Sequence, residues 1–165
     1  MSFAKLDQKT LRAHKGKSFV GVSTAVAIMN QKGELFMAQR SKNTRDEHGR
    51  WDICGGGLKW GTHIEENICR EMAEEFAVTS SEPLRFFGFR EAFRNDPAGD
   101  PTHWVCFDYL IILPKEEAIN VRINEPENFD DCGWFSLDAL PQPLHSVISA
   151  EYVKKLQLKY IEVTV

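Results

Sequence analysis

The chain has 165 residues, 42% of them hydrophobic and 27% charged, which is enough apolar content for one domain with its own core. A net charge of −4 argues against polymeric nucleic acid or an anionic membrane as the main partner. It leaves a small polyanionic substrate open, because a bound metal can supply the positive charge.

Residues 1–18 predict a polar arm, and residues 19–165 a single domain. The opening MSFAKLDQKTLRAHKGK has no apolar segment of the kind that marks a secretory signal, and no run of about 18 apolar residues predicts a membrane span. The four cysteines, Cys54, Cys69, Cys106 and Cys132, are far apart and form no C-x-x-C or Cys/His pair of zinc type. They are expected to be small buried hydrophobes, and the setting to be the reducing cytoplasm.

From Phe19, FVGVSTAVAIM predicts a strand, NQKGE a turn and LFMAQR a returning strand, together a hairpin. SKNTRDEHGR is a charged loop, and WDIC a short strand running into the Gly-rich loop GGGLKWG. A helix follows over roughly 63–76, then the strands LRFFGFREAF and THWVCFDYLIIL on either side of the turn NDPAGDP. An acidic connector leads to CGWFSLDALP, read as a strand and a helical turn. Residues 145–159 predict a C-terminal helix with Val147, Ile148, Val153, Leu156 and Tyr152 inward. The order predicts an α+β fold, an α/β/α sandwich with a mixed β-sheet.

The helix over 63–76 carries an electrostatic problem. Ile64, Ile68, Cys69, Met72, Ala73 and Phe76 make its apolar stripe, with Arg70, Glu71, Glu74 and Asn67 to one side and Glu75 at the stripe's edge. Glu71 repels Glu74 at i,i+3 and Glu75 at i,i+4, each pair costing about 0.2–0.5 kcal/mol. Glu74 and Glu75 also occupy the last turn, where the helix dipole favours cations. A divalent cation reverses both penalties, and hard oxygen donors on one edge are what Mg²⁺ or Mn²⁺ takes. Thr62 with Glu65 fits a capping box, with His63 as the other candidate N-cap.

These residues resemble the Nudix hydrolase family, whose pattern is G-x5-E-x7-R-E-U-x-E-E-x-G-U with U bulky and aliphatic. Gly56 fits the first glycine, and Arg70, Glu71, Met72, Glu74, Glu75 and Val78 fit the R-E-U-x-E-E core and its final position. WDICGG resembles the family's W-x-x-P-G-G, and GWFSLDALP its later tryptophan strand. Thr62 stands where the family has its first glutamate, and Ala77 where it has glycine. Arg70 is therefore expected to lean on Glu74 or Glu66; the family's glycine ends the helix in a left-handed conformation, which would strain Ala77 by about 1 kcal/mol and leaves the geometry of the helix end open.

The resemblance implies a pyrophosphohydrolase acting on a nucleoside diphosphate linked to another moiety. Glu71, Glu74, Glu75 and the Gly55 carbonyl would hold Mg²⁺ or Mn²⁺, with Arg70 orienting the glutamates. A general base would come from Glu71, Glu74 or the NEPENFDD segment, where Glu127 is chosen over Glu125, Asp130 and Asp131. Arg40, Arg50, Lys59 and Trp60 are the candidate substrate contacts. The partner would be a small nucleotide, with no polymeric nucleic acid or membrane, and pairing of subunits in the family makes a homodimer an expectation. Two other uses of the fold are a nucleotide-binding sensor without turnover and an isomerase, though no reactive cysteine with a partner acid is evident for the latter.

Overall fold

Residues 21–30 carry an unbroken apolar run at 25–29, the pattern of a strand buried on both faces. In the computed structural model, which describes residues 7–165, they form β1 (Gly21–Asn30) inside a seven-stranded mixed sheet. The first six residues of the expected arm lie outside the described residues. Before β1 comes α1 (Gln8–His14), and after it β2 (Glu34–Arg40), β3 (Trp51–Asp52), β4 (Cys54–Gly57) and α2 (Ile64–Phe76). Then follow β5 (Arg85–Asn95), β6 (Pro101–Leu113), α3 (Lys115–Ala118), β7 (Phe129–Ser136) and α4 (Ala150–Thr164).

The sheet runs β3-β2-β1-β6-β5, with β4 paired to β1 and β7 to β2. β1 lies parallel to β6 from Gly21↔Trp104 to Asn30↔Leu113, and β5 antiparallel to β6. Side chains alternate between the two faces. Val26 and Ile28 join Ile68, Met72 and Phe76 of α2, while Ala25, Ala27 and Met29 join Tyr152 and Leu156 of α4. β2 divides in the same way, with Phe36 and Ala38 on the α2 side and Leu35 and Met37 on the α4 side. The result is the predicted α/β/α sandwich. Phe76, with ring centroids 5.1 Å from both Phe36 and Phe129, anchors α2; truncating so buried a ring to alanine costs about 3–5 kcal/mol.

The predicted hairpin closes at Gly33 (φ +79°), but β1 and β2 pair only at Met29↔Leu35 before they part. Each then takes another antiparallel neighbour. β1 pairs with β4 from Ser23↔Gly57 to Val26↔Cys54, and β2 with β7 from Glu34↔Ser136 to Arg40↔Phe129. This fork corrects two expectations. WDIC is divided, with Trp51 and Asp52 on β2 and Cys54 on β1. Gly55, Gly56 and Gly57 belong to a strand, so the loop starts only at Leu58.

The C-terminal helix starts five residues later than predicted, at Ala150, because Ser149 caps it by accepting the Tyr152 N–H (3.2 Å). Ile148 is buried and Val147 packs on the same core, but both do so from irregular chain. Cys54 is buried and Cys106 and Cys132 are half-buried, whereas Cys69 is exposed, because the stripe of α2 is narrower than the wheel suggests. Among the described residues no helix is long and apolar enough to cross a membrane.

Candidate active site

α2 begins at His63, one residue beyond the Thr62 cap that the sequence favours. The His63 N–H donates to Glu66 Oε2 (3.1 Å), while the Thr62 hydroxyl turns back to Lys59 O (2.8 Å). The helix ends at Ala77, which keeps the left-handed conformation at φ 56° despite its Cβ, with its N–H on Ala73 O and the Val78 N–H on Met72 O. For a residue with a Cβ that conformation costs about 1–2 kcal/mol.

The buried side of α2 includes Asn67, which is 0% exposed. Buried polar groups need partners, and Asn67 has three. Its Nδ2 donates to Thr24 Oγ1 on β1 (3.0 Å), and its Oδ1 accepts from the Lys59 N–H (3.3 Å) and from Arg70 Nη2 (2.8 Å). Arg70 extends from this anchor to Glu71 Oε1 (2.6 Å) and Glu74 Oε2. Glu66, the other partner expected for Arg70, is spent on the helix cap.

Glu75 also faces β4. Its Oε2 accepts the Gly55 N–H (3.1 Å), and the Cys54 thiol lies beside its carboxylate. Burial pushes the Glu75 carboxyl well above the usual range, and the charge of Glu71 pushes it further; the Gly55 N–H and the Cys54 thiol only partly oppose this. Gly56 faces Glu71 directly, and a Cβ there would stand 2.5 Å from Oε1. The carboxylate occupies the room that a side chain would take.

Among the described residues, no three carboxylate, imidazole or thiol groups already stand together at metal-ligand spacing. Arg70 explains this, since it holds Glu71 and Glu74 while Glu75 faces β4. The donor chemistry still fits a hard divalent cation. Three carboxylates line one helix edge, one of them desolvated beside a like charge, and the facing strand is bare glycine backbone.

The other sequence-selected residues are dispersed. Arg40 is bound to Asp52 (3.1 Å) and Asp46 (3.4 Å), and Asp46 also takes Arg45 (2.9 Å) and Arg94 (3.5 Å). Arg50 pairs with Glu47 (3.0 Å) and donates to Leu144 O (2.9 Å), so its charge is turned toward the approach to α4. Lys59 and Trp60 are exposed on the loop before α2, Trp60 at 65%. Glu127 is exposed, and its backbone carbonyl accepts from Ser41 Oγ (2.6 Å) and Asn43 Nδ2 (3.1 Å). Asn124 ties that segment to the end of α2 through Glu75 O (2.8 Å) and Glu74 O (3.0 Å).

Sequence reasoning missed Asn67, the Cys54 thiol and Lys15. Asn67 was visible beside the stripe, three residues from both Ile64 and Arg70, but its burial was not. Cys54 and Lys15 depend on contacts distant in sequence. His145, given no role from sequence, is buried 3.8 Å from Asp52, with Nδ1 accepting the Val147 N–H (3.3 Å).

A family model described as the NUDIX domain matches residues 20–156. The chain belongs to the Nudix family. An RNA pyrophosphohydrolase of Orientia tsutsugamushi (strain Boryong) is 25% identical over 130 residues, 72% of this chain and 76% of that protein. The nucleoside triphosphatase NudI of Enterobacter sp. (strain 638) is 26% identical over 118 residues, 68% of this chain and 80% of that one. Among solved structures, a MutT NUDIX hydrolase from Burkholderia pseudomallei superposes with a TM-score of 0.70 at 28% identity, covering 84% of this chain and 98% of that chain. The protein is thus a Nudix-type hydrolase, of the class that cleaves pyrophosphate linkages.

Proposed function

We propose that this Nudix protein is a Mg²⁺- or Mn²⁺-dependent pyrophosphohydrolase that cleaves a nucleoside diphosphate linked to a further group. Nucleotide sugars, ADP-ribose and nucleoside triphosphates are the substrate classes to test. The observation that carries the reading is the placement of Glu71, Glu74 and Glu75 on one helix edge beside the bare glycine backbone of β4.

Glu71, Glu74, Glu75 and the Gly55 carbonyl would hold the metal. When bound, it supplies positive charge against the pyrophosphate and Lewis acidity toward the attacking water. Arg70 keeps Glu71 and Glu74 from splaying into solvent, and Asn67 fixes Arg70 in turn. Glu75 contributes charge that burial has already made costly, so it gains most from a cation. Glu127, on the segment that Asn124 ties to α2, is assigned to accept the water's proton, with Glu71 and Glu74 as the other carboxylates of suitable chemistry. Lys59 and Trp60, exposed on the loop before α2, remain candidate substrate contacts; Arg40 and Arg50 both have carboxylate partners elsewhere.

Three of the four box glutamates, Glu71, Glu74 and Glu75, are present, and they are the ones expected to bind metal, which supports turnover over the role of a silent nucleotide sensor. The test is hydrolysis of a nucleotide panel with Mg²⁺ or Mn²⁺, alongside Glu74→Gln and Glu75→Gln. Turnover that needs metal and falls in both variants is the expected result. Nucleotide binding without turnover across the panel would transfer the protein to the sensor class. Light scattering on the same preparation tests the homodimer.

A further inference from the structure

The N-terminal arm is fixed to the sheet at several points. After α1 the chain turns at Gly16 (φ +80°), whose N–H donates to Phe19 O (2.9 Å) and whose carbonyl accepts the His103 N–H (2.8 Å). Gly16 lies flat on Trp104, close enough that a Cβ would collide with the indole. Lys17 Nζ then bonds Asp96 (2.5 Å) and Asp100 (2.9 Å) in the turn between β5 and β6. These contacts leave Lys15 little freedom. Its half-buried side chain runs to β4, where Nζ donates to Leu58 O and lies 3.2 Å from where a Cβ on Gly57 would be.

That ammonium group has three donors, and among the described residues it has one acceptor. Among the described residues no carboxylate stands within ion-pair distance of it. Its apolar neighbour is Trp104, 5.8 Å from Nζ to the ring centroid, with Arg45 over the same ring at 5.9 Å. Gly56 faces Glu71 on the α2 side of β4, and Gly57, the next residue, faces Lys15 on the other. Only a side-chain-free strand separates the acids from the cation.

From this juxtaposition we infer that Lys15 binds substrate: its ammonium group donates to non-bridging oxygens of the pyrophosphate, with Trp104 and Arg45 walling the same side. Burial of the cation is costly, the charge of Glu71 across β4 opposes that cost only from a distance, and a phosphate oxygen supplies a direct acceptor. The inference rests on the hydrolase reading and extends it, making the arm part of the catalytic surface.

Lys15→Gln, Lys15→Arg and Lys9→Gln in the full chain separate the cases. Lys9 is an exposed arm residue and controls for general charge. The measurements are the KM of the nucleotide turned over, calorimetric binding of inorganic pyrophosphate with Mg²⁺, and Mn²⁺ binding without phosphate. Lys15→Gln should raise KM and weaken pyrophosphate binding by about tenfold, Lys15→Arg should recover most of that, and Mn²⁺ binding should be unchanged or tighter. A lowered melting temperature with unchanged KM and pyrophosphate affinity would make Lys15 a strut under Leu58 and overturn the inference. A wild-type protein that neither hydrolyses a nucleotide nor binds metal pyrophosphate would remove the hydrolase reading, and this with it.

Discussion

Asn67→Leu is the substitution that most directly tests how the box is held. It preserves side-chain bulk at a fully buried position and deletes three hydrogen bonds. Two of these join neutral groups, at about 1 kcal/mol each, and the third involves a guanidinium, at about 1.5–3 kcal/mol. The loss is about 3–5 kcal/mol, which for a chain of this size lowers the melting temperature by roughly 10 °C. Stability alone does not show positioning, so the decisive readout is Mn²⁺ affinity and kcat well below each variant's melting temperature. Freed from Asn67, Arg70 no longer fixes Glu71, and kcat should fall about tenfold, equivalent to about 1.4 kcal/mol in the barrier. Asn67→Asp is the counterpart. It keeps an acceptor for Arg70 and for the Lys59 N–H, and the Thr24 hydroxyl can turn to donate. Catalysis should therefore survive in Asn67→Asp. A Leu variant that melts early yet retains wild-type kcat and Mn²⁺ affinity would refute the positioning role.

Gly56→Ala places a methyl group 2.5 Å from Glu71 Oε1, the far end of a flexible side chain. Turnover and Mn²⁺ affinity should drop about tenfold with a melting temperature within about 2 °C of wild type, as activity assays and calorimetry will show. Ala77→Gly relieves the left-handed cap at φ 56° and should stabilise by about 1 kcal/mol, raising the melting temperature by about 2–4 °C. His145 is held below its usual value of 6.5, chiefly by burial, with Arg40 and Arg94 also lowering it and Asp52 and Glu47 opposing. Its neutral form fits the core, so its stabilising contribution is complete above pH 6.5 and is lost as the pH falls from there through the lower folded value. Thermal melts between pH 7 and 5 should accordingly be steeper in pH for wild type than for His145→Gln; equal slopes would assign the acid sensitivity to other groups.

The catalytic helix was legible because its chemistry is local. Arg70, Glu71, Glu74 and Glu75 lie within two turns, so helical geometry alone sets their relative directions. The position of the helix end was legible from the same pattern, but not whether Ala77 would take the left-handed conformation it does. The error at the N-cap is a shift of one residue, within the ordinary uncertainty of helix ends. Strand identities were legible for a similar reason, since β6 and β1 are long and apolar.

What the sequence concealed are the supports that come from other strands, and one physical cause covers them. β1 and β2 leave one another after Met29↔Leu35, and nothing in either strand announces the exchange of partners. That exchange makes a strand of Gly55–Gly57 and brings Cys54 and Gly55 against Glu75. The continuous β1–β6 ladder sets Trp104 beside Gly21, where it receives the arm that carries Lys15. β1 also carries Thr24, the far end of the Asn67 bond. A single strand thus aligns Glu75 through β4, Arg70 through Thr24 and Asn67, and Lys15 through Trp104. Spacing in the sequence specifies the acids themselves, whereas sheet register specifies what holds them, so a box recognised by its spacing still leaves its supporting shell unread.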